Sequence, residues 1–97
     1  MKIIENKELQ YKGKPILDET GKPLTYLFLF TNILEGSVYQ NSMEIIKATT
    51  ILGKLKEEDG KLNIEDADYE FIKRFANVYQ PLVSKGLMFA EFYQQLT

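Results

Sequence analysis

Gly13, Pro15, Gly21 and Pro23 fall within one eleven-residue window near the start of the chain. No helix can run through that window, because each proline removes an amide donor and each glycine frees the backbone. The first quarter of the sequence is therefore expected to be short extended pieces joined by turns. Leu9-Gln10-Tyr11 and Pro15-Ile16-Leu17 can pair across Lys12-Gly13-Lys14, a three-residue loop containing glycine, and Asp18-Glu19-Thr20-Gly21 has the composition of a further turn. A lone two-stranded hairpin is marginal in water, so it must lie on helices.

After Pro23 the pattern changes. Thr25 can cap a helix from Tyr26 to Glu35 that Gly36 stops, although the unbroken apolar run Tyr26–Phe30 also suits a buried strand. The helix is preferred, since Leu24, Leu27, Phe28, Phe30, Ile33 and Leu34 fall near one wide helical face. Residues 37–41 read as a polar linker. Ser42 can cap a second helix through Leu55, with Glu44 in its first turn and Lys54 and Lys56 at its end, as the helix dipole favours. Glu57-Glu58-Asp59-Gly60-Lys61 reads as a loop, and Leu62-Asn63-Ile64 leads extended into a third helix from Glu65 or Asp66 to Tyr79. Pro81 can open a fourth helix reaching Leu96. The expected fold is mainly α, a small α+β domain. An N-terminal hairpin or extended arm, residues 1–24, precedes a helical body of about four packed helices, residues 25–97, and the whole 1–97 forms one domain.

Composition removes several chemistries. The 97 residues contain no cysteine, histidine or tryptophan, and Arg74 is the one arginine. Disulfide frameworks, thiol nucleophiles, zinc fingers and Ser-His-Asp triads are thereby excluded. The first residues, Met1 to Lys7, lack an apolar signal core, and the longest apolar run is five residues, against about 20 for a membrane helix. The expectation is a cytoplasmic protein that engages no membrane. Residues 57–70 carry a local charge of −6, while the rest of the chain sums to +4 with its bases scattered. Such scatter offers no basic face, so nucleic-acid binding is not expected.

Each candidate for chemistry has a plain structural alternative. With Gly60 at the glycine position of a calcium loop, Leu55 occupies the first ligand position, where an acid is required, and the match fails. A looser cation site from Asp59, Asn63 and Asp66 competes with a solvated loop and a helix N-terminus, and the latter is preferred. Gly53-Lys54 and Gly60-Lys61 have the wrong spacing for a phosphate loop, and no Ser or Thr follows either lysine. Asp66, Asp68 and Glu70 read as an exposed helix start rather than a divided pair of catalytic carboxylates. No catalytic residue, metal ligand or cofactor is assigned.

Six Phe and six Tyr are many for so short a chain, and some of them are expected to face a partner. The interaction candidates are Phe71, Tyr79, Phe89, Phe92 and Tyr93, with the domain core as the alternative for the C-terminal set. Lys73, Arg74 and Lys85 are the candidates for contacting an anionic, nucleotide-like ligand held between subunits.

Gly21-Lys22-Pro23-Leu24-Thr25, Ile64-Glu65-Asp66-Ala67-Asp68 and Tyr79-Gln80-Pro81-Leu82-Val83, in this order, resemble small uncharacterised proteins of tailed bacteriophages and prophages. The resemblance spans residues 13–96, rests on helix entries and apolar positions, and transfers no catalytic residue. It implies a phage or prophage product in the bacterial cytoplasm. The function expected is a non-enzymatic accessory protein that binds a host or phage protein or itself as a homo-oligomer. A small-ligand binder and a virion or assembly component are the alternatives.

Overall fold

The computed structural model describes residues 1–96, a small α+β fold in which five helices, among the described residues, pack with short antiparallel strands. The strands are β1 (Lys2–Glu5), β2 (Gln10–Tyr11), β3 (Lys14–Pro15), β4 (Glu57–Glu58) and β5 (Lys61–Ile64). The helices are α1 (Tyr26–Gly36), α2 (Ser42–Lys54), α3 (Asp66–Ala76), α4 (Gln80–Val83) and α5 (Ala90–Leu96), with a 3-10 turn at Gly86–Phe89.

The interrupted N-terminal window forms the hairpin β2–β3, but across a two-residue turn. Gln10 faces Pro15 and Tyr11 faces Lys14, which leaves Lys12 and Gly13 as the turn, both at positive φ (53° and 78°). That geometry matches the right-handed twist of the strands and tightens the expected three-residue loop by one residue. Further on the chain doubles back, with Leu9 N–H donating to Leu24 C=O at 2.8 Å and Leu24 N–H to Ile16 C=O at 2.8 Å. Leu9, Ile16 and Leu24 are thereby buried.

Glu57–Lys61 is no simple loop. Asp59 and Gly60 both adopt positive φ (53° and 75°) and connect β4 to β5, and β1 joins the far edge to give the antiparallel order β1-β5-β4. Ile4 opposite Leu62 and Ile64 opposite Lys2 set the register, and the three isoleucine and leucine side chains are buried. Asp-Gly between extended residues is a strong hairpin signal.

The run Tyr26–Phe30 is helical. Thr25 Oγ1 accepts the Phe28 N–H at 3.3 Å and Asn6 Oδ1 accepts the Leu27 N–H at 2.8 Å, so two amides of the first turn have partners. Tyr26, Leu29, Phe30, Ile33 and Leu34 make the buried face, while Phe28 is exposed. At the other end of the chain, the expected fourth helix is divided into α4, the 3-10 turn and α5, because Gly86 takes φ 57° and ends the helical path. Phe92 of α5 enters the centre of the core, with its ring 5.4 Å from both Tyr26 and Phe30.

This placement corrects two interaction candidates. Phe89 and Phe92 are 2% and 0% exposed, so their side chains pack the domain's own core and present nothing to a partner. Tyr93 is half-buried and donates its hydroxyl to Ala76 C=O at 3.0 Å. Phe92→Ala is expected to lose about 3–5 kcal/mol by opening a cavity between α1 and α5, a cost measurable as a lower urea midpoint with an unchanged slope.

Asp68 is the second correction. It is buried, at 3% exposure, rather than part of an exposed helix start. Lys54 Nζ lies 2.6 Å from one carboxylate oxygen and Lys47 Nζ 3.1 Å from the other, so two α2 lysines converge on one α3 acid. Burial pushes the Asp68 carboxyl up, but hydrogen bonds and charge from Lys54 and Lys47 outweigh it and hold the group below its ordinary value of 3.8. A lowered folded-state value means that the stabilisation is complete above the unfolded value and disappears as pH falls through the folded one. Asp68→Asn is therefore expected to lower stability by about 1–3 kcal/mol near neutral pH. Urea titrations across pH should show the gap between variant and parent closing below about pH 3.8.

Candidate binding cleft

A cleft of about 440 Å³ opens where the C-terminal ends of α1 and α3 meet the N-terminal end of α2. Its charged side chains are Glu44 and Arg74, the exposed Val38 and Val78 give it an apolar rim, and Phe75, Tyr79 and Pro81 also line it.

The segment read as a polar linker builds one wall. Asn41, not Ser42, caps α2, with Asn41 Oδ1 accepting the Glu44 N–H at 3.0 Å and Glu44 Oε1 accepting the Gln40 N–H at 2.9 Å. This reciprocal arrangement is a variant of the capping box, and Asn-x-x-Glu at 41–44 was its visible signal. The other Glu44 oxygen accepts from Arg74 Nη2 at 2.8 Å. Arg74 also lies over two aromatic rings, 4.9 Å from the Phe75 centroid and 5.4 Å from that of Phe71. A guanidinium placed between one carboxylate and two ring faces is partly positioned before a ligand arrives, and it keeps N–H donors beyond the one given to Glu44.

Tyr39 stiffens the rear of the site. Its ring stacks on Phe71 at 6.4 Å and 13°, and tilts against Phe75 at 4.8 Å, while its hydroxyl donates to Leu34 C=O at 2.6 Å. Burial, with the nearby Glu44 charge, pushes the Tyr39 phenol above its ordinary value, so it remains a donor at neutral pH. The apolar rim is open to solvent, with Val38 88% and Val78 66% exposed.

Of the sequence candidates, Arg74 and Tyr79 line this cleft and Phe71 supports Arg74 from behind. Lys73 is half-buried and Lys85 is exposed, and neither lines it. Val38, Gln40, Glu44 and Val78 were missed, because each is unremarkable until the ends of three helices meet. Among the described residues there is no group of three or more acids that could hold a metal ion. No family model, curated protein or solved structure matches the chain. No helix among the described residues is long and apolar enough to cross a membrane.

Gly36 sets the position of Tyr79. A Cβ at Gly36 would stand 2.6 Å from the Tyr79 hydroxyl oxygen and 2.9 Å from Cε1, closer than such atoms approach. Gly36→Ala is expected to displace the ring at a cost of about 1–3 kcal/mol. In a double-mutant cycle read by denaturant unfolding, Gly36→Ala should cost far less when Tyr79 is already Ala.

Proposed function

We propose that this protein is a non-enzymatic binding module that grips a segment of a partner protein in the cleft around Arg74. Its context, on this reading, is that of the phage and prophage accessory proteins its sequence resembles. The observation that carries the reading is the pre-set arginine: paired with Glu44 and laid on Phe71 and Phe75, it sits beside the exposed valines 38 and 78. Arginine and aromatic side chains are the usual centres of binding energy at protein interfaces, and a partner covering the exposed Arg74 would exclude water from its pair with Glu44. A partner segment suited to this site lays an apolar side chain between the valines and offers a carboxylate or backbone carbonyl to the free Arg74 donors.

A cleft of 440 Å³ also falls within the range of small-molecule sites, which favours a ligand binder as the second reading. Glu44 beside Arg74 offsets the positive charge that an anionic, nucleotide-like ligand would need.

The test is quantitative affinity capture from bacterial lysate with the parent chain, Val78→Asp, Arg74→Ala and the remote surface variant Glu19→Lys. One protein recovered stoichiometrically by the parent and Glu19→Lys, but weakened at least tenfold by Val78→Asp and Arg74→Ala, is expected. Equal recovery by all four chains, or recovery of no protein, overturns the reading. A discrete added mass on the native protein that Arg74→Ala removes would replace it with the small-ligand reading.

A further inference from the structure

The outward side of α2 has an unusual chemical character. The charged residues of α2 are Glu44, Lys47 and Lys54; Glu44 pairs with Arg74 and the two lysines, about half exposed at the border of that side, pair with Asp68. Between them the helix buries Ala48 and Ile51. Positions on the opposite side are Met43, Ile45, Ile46, Thr49, Thr50 and Gly53, with Met43 72%, Ile45 52% and Ile46 59% exposed. An ordinary surface helix has the reverse arrangement, charges outward and apolar groups inward. Even the threonine hydroxyls are withdrawn, since Thr49 and Thr50 donate to Ile45 and Ile46 C=O at 2.9 Å each.

We propose that this face pairs with the same face of a second copy of the chain, the two α2 helices lying antiparallel across a two-fold axis near Thr49. Charge and shape both select that occupant. A face with no ionisable group offers nothing to an acidic or basic partner, whereas two such faces meet without like charges opposing each other. Along the ridge Ile45–Thr49–Gly53 the profile is self-complementary. An antiparallel two-fold through Thr49 sets the bulk of each Ile45 over the bare backbone of the other copy's Gly53. The monomer itself does not need that glycine, for a Cβ at Gly53 would meet nothing within 4 Å.

Area agrees with a modest dimer. The three large side chains expose roughly 350 Å², within the range of a monomer's largest apolar patch, and the exposed Thr49, Thr50 and Gly53 extend the surface toward the small end of one partner's share in a specific interface. A concentration-dependent equilibrium follows, not an obligate assembly. This surface is distinct from the cleft, so Val78→Asp leaves it unaltered.

The chain lacks cysteine, which permits a clean cross-linking test on the full protein. Sedimentation equilibrium of the parent should show a monomer–dimer equilibrium, weakened at least tenfold by Ile46→Glu with circular dichroism unchanged. Gly53→Ala should weaken the dimer while raising the monomer's melting temperature, because alanine is the better helix former. Under mild oxidation Thr49→Cys should form a covalent dimer far faster than Glu19→Cys, and mixed Ile45→Cys and Gly53→Cys chains should link to each other in preference to themselves. A parent that stays monomeric, including one whose α2 face is covered by a different protein, overturns the proposal. So does a dimer that survives Ile46→Glu, or cross-linking at Thr49→Cys no faster than at Glu19→Cys.

Discussion

The buried carboxylate of Asp68 organises the helical layer. A charge removed from water must be matched by opposite charge and hydrogen bonds, and here both come from α2, through Lys47 and Lys54. With Ala48 and Ile51 as its two buried apolar residues, α2 has little core area to hold it. The ion pairs supply orientation where packing is thin, and fix which side of α2 meets α3. Every other surface property of α2 follows from that choice. Its lysines are tied to Asp68 at one border of the helix, and its neutral side is left facing out.

The same docking creates the cleft. Once α2 is set against α3, its capped N-terminus brings Glu44 to Arg74, and the Tyr39, Phe71 and Phe75 rings fill the space behind the pair. Other aromatics serve the interior, where Tyr26, Phe30 and Phe92 form a tilted and edge-to-face cluster that joins the C-terminal helix to α1. Aromatic abundance therefore divides by location. Rings at the α1–α5 contact build the core, and rings near the C-terminal end of α3 support an exposed arginine.

Much of the framework was readable from local signals. Glycine and proline between residues 13 and 23 ruled out a helix there, and Thr25, Gly36 and Pro81 marked helix ends with a physical reason at each. Asp59-Gly60 and Asn41-x-x-Glu44 carried signals of a hairpin and a capped helix as well, although the first reads equally as a loop and Ser42 competes for the cap. The pairing of β1 with β5 was not, since it joins residues about sixty positions apart and no local preference specifies it.

The cleft and the two corrected assignments belong to the same class. Phe89 and Phe92 are apolar in any reading, and only the path of the chain after Gly86 determines that they point inward. Asp68 has the composition of an exposed helix start, and only the approach of two lysines from another helix makes its burial tolerable. The sequence by itself determined where the N-terminal turns fall and where most helices start, because caps, turns and breakers act over a few residues. The tertiary structure alone decided which side of each element is covered, because that depends on charges and rings brought together from distant parts of the chain.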